Sequence, residues 1–223
     1  MMLYKIQPAL VNKIVGYIVS RKMTEGYQYD DPNSVWNINV RGKMGFVPNI
    51  DAIQLLKRAK LMDIVQSVPV PPWGLVISDK LLEIFKVNVL PIELQVFDAY
   101  VVHKEKRYHY NYFYIYQSNE HKYIDWGKSK FKLRKLNQLI GDEFKVDIKK
   151  ERAKLEKGIG IDSYMPTKLF IKKNEIRSDI LKLDLSCRGY YVTEKLKNEI
   201  EKGDCQGVDL IPIDQLGFEV EFV

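Results

Sequence analysis

Gly189-Tyr190-Tyr191-Val192-Thr193-Glu194-Lys195-Leu196-Lys197-Asn198-Glu199-Ile200 has a counterpart earlier in the chain, Gly74-Leu75-Val76-Ile77-Ser78-Asp79-Lys80-Leu81-Leu82-Glu83-Ile84-Phe85. Each runs from a glycine through three apolar or aromatic residues to a hydroxyl, an acid, a lysine and a leucine. A second apolar run follows each, Pro91–Phe97 after the early copy and Val208–Ile213 after the late one. Leu75-Val76-Ile77 and Tyr190-Tyr191-Val192 suit buried strands. Ser78 and Thr193 can accept a hydrogen bond from the open amides of a helix's first turn. Asp79 and Glu194 set negative charge on the positive end of that helix. Leu81, Ile84 and Phe85 form one apolar stripe and Leu196 and Ile200 the other. Asn88 and Gly203 are expected as left-handed stops. The unit reads as strand, capped short helix, strand.

The copies lie about 115 residues apart, far beyond the roughly 20–50 residues of a solenoid repeat. They predict an α+β fold of mixed sheets and short helices with two related strand-helix-strand halves. Residues 1–223 are expected to form a single compact unit, with halves 1–118 and 119–223 carrying the repeats 74–97 and 189–213. Chance likeness between two ordinary units is the other reading. Agreement of cap, acid, lysine and leucine in order favours duplication.

The composition, 46% apolar and 29% charged, is that of a globular chain rather than a disordered one. No apolar run reaches the roughly 20 residues of a membrane helix; Leu10–Val19 is broken by Asn12, Lys13 and Gly16. Met1-Met2-Leu3-Tyr4-Lys5 lacks a secretion-signal pattern, and a cytoplasmic location is expected. The two cysteines, Cys187 and Cys205, flank the late copy and have no counterparts in the early one. In a reducing compartment they read as neutral thiols rather than a disulfide.

Along the chain, Met2–Gln7 reads as a first strand stopped by Pro8, and Ala9–Ser20 fits helix or strand. Glu25–Asn33 is a turn-rich loop, and Val35–Val40 alternates as a strand. Asp51 opens an expected helix through Met62, and Pro69, Pro71 and Pro72 mark an extended link. Tyr108–Gln117 is a strand with Tyr108, Tyr110, Tyr112, Tyr114 and Tyr116 on one face, expected to form a hairpin with Lys122–Trp126. Asp147–Lys157 reads as a charged helix stopped by Gly158. Leu169–Ile171, Ile180–Leu185 and Gly217–Val223 read as later strands.

The formal charge is +6, and Asn119–Gly160 alone holds twelve Lys or Arg against seven Asp or Glu. Lys128, Lys130, Lys132 and Arg134 alternate with Ser129, Phe131 and Leu133, which makes one face of a strand basic. Such a face suits an acidic partner or nucleic acid, and also suits a merely solvated surface. The tyrosine row can stack on bases. Tyrosine also favours half-buried sheet faces, and no glycine-aromatic nucleic-acid motif accompanies the row, so the structural reading weighs more.

No catalytic, cofactor-binding or metal-binding signature stands out. Gly158-Ile159-Gly160 lacks the rest of a phosphate loop, and no serine sits in a nucleophile elbow. His103, His109 and His121 have no ligand spacing with acids or cysteines. An enzyme with a site assembled from distant residues is a third reading beside the two binding readings.

Tyr123-Ile124-Asp125-Trp126-Gly127-Lys128-Ser129, following a tyrosine-rich strand, resembles the isoleucine, aspartate, aromatic, two residues, serine segment of bacterial polymorphic-toxin immunity proteins, of the immunity protein 43 type and relatives. Ile180–Ile213 resembles their closing segment, down to Gly207-Val208-Asp209-Leu210. The resemblance covers roughly the last two-thirds of the chain. It implies a small cytoplasmic α+β protein that binds and neutralises a cognate toxin without catalysis, and it carries over no catalytic residues. Asp125, Trp126 and Ser129 match the family segment and are expected as a turn and core anchor. The expected partner-binding residues are Lys128, Lys130, Lys132, Arg134, Tyr112 and Tyr114. Nucleic-acid binding through the basic strand and tyrosine face is the alternative, and no cofactor is expected.

Overall fold

Residues 1–9, 24–38, 42–57, 59–65, 74–135, 138–151 and 164–223 are described by the computed structural model of the chain. In chain order the strands are β1 (Leu3–Pro8), β2 (Ile50–Gln54), β3 (Ile64–Val65), β4 (Leu75–Ile77), β5 (Leu94–His103), β6 (Lys106–Ile115) and β7 (Lys130–Lys135). They continue with β8 (Gln138–Phe144), β9 (Tyr164–Ile171), β10 (Ile180–Leu183), β11 (Gly189–Thr193), β12 (Val208–Pro212) and β13 (Glu219–Phe222). The helices are α1 (Asp79–Lys86), α2 (Glu120–Tyr123) and α3 (Glu194–Lys202); residues 148–151 are also helical. Three sheets result, ordered β2-β5-β6-β4-β3, β10-β11-β1-β12 and β13-β9-β7-β8. The first and third are mixed, since β2 runs parallel to β5 and β13 parallel to β9, and the second is antiparallel throughout. The fold is α+β with short helices. No helix among the described residues is long and apolar enough to cross a membrane.

The repeated stretches fold alike. Ser78 accepts from the Leu81 amide at 3.2 Å, and Thr193 accepts from the Leu196 amide at 3.4 Å, so each hydroxyl caps its helix as the sequence implies. In neither unit do the two flanking strands pair with each other. β6 lies antiparallel between β4 and β5, and β1 lies antiparallel between β11 and β12. The likeness extends outward, because β3 pairs with β4 as β10 pairs with β11. The order β5-β6-β4-β3 therefore matches β12-β1-β11-β10 strand for strand. The middle strand comes from different places: β6 follows its unit in sequence, whereas β1 precedes its unit by most of the chain. The sheet of the later half is thus completed by residues of the earlier half.

One aspartate before each unit ties the halves together. The Ser78 hydroxyl donates to Asp63 Oδ1, and the Gln206 amide donates to Asp63 Oδ2 at 2.7 Å. The Thr193 hydroxyl donates to Asp179 Oδ1 at 2.8 Å, and the Val89 amide donates to Asp179 Oδ2 at 3.0 Å. Main-chain bonds repeat the pattern, Asp63 N–H to Gln206 C=O at 2.9 Å and Asp179 N–H to Val89 C=O at 2.7 Å. Each aspartate holds the cap of its own helix and the segment that follows the other helix.

α1 and α3 share a core, in which Leu81, Leu82, Phe85, Leu196 and Ile200 meet Ile77, Phe113, Tyr190 and Val192. The helices cross closely, since a Cβ on Gly203 would lie 2.6 Å from Ile84 Cδ1 and 3.2 Å from the Glu199 carbonyl. Gly203 has φ −72°, so it is there for this approach and not for a left-handed stop. The residue with positive φ is Asp204, at 48°. Asn88 is likewise no left-handed stop; its side chain donates to the Ile84 carbonyl at 2.8 Å.

Three other expectations are corrected. Val35–Asn37 is a 3-10 helix, not the start of a strand, because the Trp36 amide is taken by Ser34 Oγ and the Val35 amide by the Tyr27 hydroxyl at 2.7 Å. Asn39 and Val40 lie outside the described residues. The expected helix from Asp51 is strand β2, with Ile53 and Leu55 alternating into the core and Leu56 left 42% exposed. β6 forms its hairpin with β5, not with Lys122–Trp126. The two residues between them, Lys104 and Glu105, have φ 49° and 66°, the backbone of a type I′ turn. Leu10–Ser20, Pro69–Pro72 and residues 152–163, which include Gly158, lie outside the described residues.

Candidate functional site

The Tyr123–Ser129 stretch is a staple between α2 and β9. Asp125 N–H donates to the Phe170 carbonyl at 2.9 Å, and the Ser129 hydroxyl donates to the Asp125 carbonyl at 2.8 Å. Phe170 N–H in turn donates to Ser129 Oγ at 3.1 Å. Trp126 is buried and stacks on Phe131, with centroids 5.6 Å apart. Asp125, Trp126 and Ser129 thus act as turn and core anchor.

That anchor fixes the facing of β7. Phe131 is fully buried, whereas Lys130 and Arg134 are exposed and Lys132 is half-buried. Their charges are compensated unequally. Lys130 meets Glu143 of β8 at 3.1 Å, and Thr167 donates to the same carboxylate at 2.7 Å. Thr167 first and then Lys130 hold the Glu143 carboxyl below its ordinary range. Lys168, opposite Lys130 on β9, lies 3.4 Å from Glu219 and 3.3 Å from Glu221 on β13. Lys128 lies 4.0 Å from Asp125. Acids and bases thus alternate across the sheet at this level. Lys132 has no ion-pair partner among the described residues, and the Arg134 guanidinium approaches the Met165 sulfur at 3.9 Å.

Tyr112 and Tyr114 do not join this surface. Both are fully buried and stacked, with centroids 6.0 Å apart. Their face of β6 is covered by Val35, Met44, Ile53 and Leu55, from a segment whose packing the sequence left open. The opposite face carries Phe113 and Ile115 into the helix core. From Tyr110 to Ile115 β6 is buried on both sides, so Tyr110, Tyr112 and Tyr114 are core residues rather than a stacking platform.

Arg134 does reach a second feature. With Lys5 of β1 and Arg188 it lines a cavity of about 280 Å³ between the second and third sheets. The deeper wall is Leu185, Ser186, Cys187, Tyr191 and Phe218, all buried. Burial pushes the Cys187 thiol up to about 12, so it lines the cavity as a neutral group. Gly189 lets Lys5 lie flat at the rim, since a Cβ there would come within 2.8 Å of Lys5 Cε.

Behind that wall sits Glu120, the first residue of α2 and almost wholly buried. Its carboxylate accepts from Leu185 N–H at 2.6 Å, Ser186 N–H at 3.1 Å and the Ser186 hydroxyl at 2.9 Å. Burial, then the neighbouring Asp184, push the Glu120 carboxyl up to about 7 against those donors. Buried Lys182 lies 3.3 Å from Asp184 and donates to the Ile115 carbonyl at 3.2 Å. Sequence reasoning missed Glu120, Lys5 and Arg188, which sit far apart in the chain and carry no motif.

His109 is flanked by acids from other elements, Asp79 at 2.9 Å and Asp98 at 3.3 Å, and hydrogen bonding to Asp79 raises its pKa. Both ring nitrogens face carboxylates, which suits an imidazolium rather than a metal ligand. Among the described residues no group of three or more His, Cys, Asp and Glu could hold a metal ion.

No family model matches the chain, and no curated protein matches it significantly.

Proposed function

We propose that the chain is an immunity-type protein that binds an acidic toxin domain in the cytoplasm and blocks it without turnover. The observation that supports this most directly is the outer end of the third sheet. β8 is an edge strand whose residues Gln138–Glu143 are all exposed, with Leu139 44% and Ile140 41% accessible. Beside it stand Leu133, also 44% exposed, the half-buried Lys132 and the exposed Arg134. An open strand edge offers main-chain hydrogen bonds to a partner strand, the half-exposed leucines and isoleucine offer apolar contact, and the cations select an acidic partner. The resemblance in Tyr123–Ser129 and Ile180–Ile213 supplies the class of partner. For nucleic acid, the burial of Tyr112 and Tyr114 removes the aromatic platform on which that alternative rested. Co-expression with the toxin domain of a neighbouring reading frame tests the proposal. Growth restored by the folded protein supports it, and cell death despite soluble, folded protein overturns it.

A further inference from the structure

We infer that the cavity framed by Lys5, Arg134 and Arg188 is a binding site for a small free oxyanion, a carboxylate or phosphate monoester attached to a compact apolar ring. This goes beyond the toxin-binding reading and does not depend on it.

The charge comes first. Among the described residues lining the cavity none is acidic, while three are cationic. Elsewhere on this sheet the cations face carboxylates within about 3–4 Å, as Lys130 and Lys168 do. Lys5 and Arg188 have no hydrogen-bond or ion-pair partner among the described residues. Lys5 is half-buried, with its aliphatic stem laid against Gly189 at the rim. Cations gathered at a recess with low-dielectric walls focus a positive potential into it. The guanidinium fork of an arginine matches the paired oxygens of a carboxylate or phosphate. Glu120 lies behind the wall, but its oxygens are occupied by the Leu185 and Ser186 donors.

The floor decides the rest of the ligand. Tyr164 is half-buried and Phe218 is 7% exposed, and both line the cavity, so beyond the charged rim the recess presents aromatic surface. Its volume, about 280 Å³, sits just under the roughly 300 Å³ at which drug-sized sites begin. A single ring bearing one oxyanion suits that space. The wall is set in advance: Glu120 fixes Leu185 and Ser186, and the Tyr191 hydroxyl donates to the Cys187 carbonyl at 2.8 Å. A preformed wall lowers the ordering cost of binding.

Phenyl phosphate, benzoate and inorganic phosphate titrated calorimetrically into the full chain test the inference. Saturable 1:1 binding is expected for phenyl phosphate or benzoate, weakening as salt rises. Inorganic phosphate should bind less tightly, because it leaves the aromatic floor unfilled. Lys5→Gln and Arg188→Gln should each weaken binding roughly tenfold or more, the loss of one charge-assisted contact. Lys202→Gln, which removes an exposed lysine from α3, should leave it unchanged. Circular dichroism melts matching the parent show that the variants are folded. Absence of saturable binding by both ring compounds overturns the inference. So does equal weakening in all three variants, which would reduce the effect to net charge, and so does inorganic phosphate binding as tightly as phenyl phosphate.

Discussion

Replacing Asp179 by alanine probes the tie between the two halves. The carboxylate holds three donors: the Thr193 hydroxyl at 2.8 Å, the Val89 amide at 3.0 Å and the Lys195 ammonium at 3.0 Å. These are not equal in worth. The Lys195 side chain is 61% exposed, so its pairing contributes little, on the order of 0–1 kcal/mol. Thr193 is buried and Asp179 only 13% exposed, so the Thr193 hydroxyl loses a charged acceptor where water enters poorly, whereas Val89 is 54% exposed and its amide can turn to water. At about 1–3 kcal/mol for the Thr193 hydroxyl left unsatisfied and up to about 1 kcal/mol for the exposed pairings, Asp179→Ala should cost roughly 1–4 kcal/mol. Urea unfolding at pH 7 reads this as a lower midpoint with an unchanged slope. Acid supplies a second check. Burial alone would raise the Asp179 carboxyl, but the Val89 amide, Lys195 and Thr193 outweigh it and hold it below 3.8. A carboxyl depressed on folding contributes stability above its unfolded pKa and loses it as pH falls through the folded value. The gap between parent and variant should therefore persist down to about pH 5 and close below 3.8. Asp63→Ala, its counterpart, should cost a similar amount. A loss under about 1 kcal/mol for Asp179→Ala, in the range of surface substitutions, would refute the reasoning.

Leu81 and Leu196 are fully buried, and truncating either to alanine should cost roughly 2–5 kcal/mol in thermal or urea melts. Glu120 binds its proton more tightly folded than unfolded, so stability should fall as pH climbs from 4.5 toward 7, by about 3 kcal/mol at full ionisation. Urea midpoints at pH 5 and 8 should show that decline in the parent and lose most of it in Glu120→Gln. Charge reversal at Lys132 and Arg134 should slow association with the toxin domain and flatten its salt dependence, with the dissociation rate changed less. Stopped-flow kinetics at two ionic strengths measure this, and an unchanged association rate removes β7 from the interface.

The repeated stretch was legible because its signals are local. Ser78, Thr193 and the leucines three residues on cap and anchor their helices wherever the strands go. What misled was local pattern overruled by distant partners. Ile53, Leu56 and Ala59 have helical spacing, yet pairing with β5 makes the stretch before them a strand. Val35–Asn37 alternates like a strand, yet the hydroxyls of Tyr27 and Ser34 take its amides. The tyrosine row was placed on one face correctly, but only the packing of residues 35–55 decides that the face is inward. Of the expected contact residues, Lys128, Lys130 and Arg134 are exposed and Lys132 is half-buried, whereas Tyr112 and Tyr114 lie in the core. Lys5 and Arg188 join Arg134 through sheet order alone, which no spacing in the sequence records.

The place of β1 bears on how the chain is made. β3 to β6 lie within residues 64–115, so the first sheet can pair soon after that stretch leaves the ribosome. β1 is synthesised first, yet its neighbours are β11 and β12, with Leu3 opposite Thr193 and Tyr4 opposite Pro212. Until then its apolar Leu3 and Ile6 have no native strand beside them. Closing a pairing of such long sequence separation is slow, and a waiting strand is open to wrong partners or a holding chaperone. Deleting residues 3–8 would therefore remove the strand that joins the two sides of the second sheet.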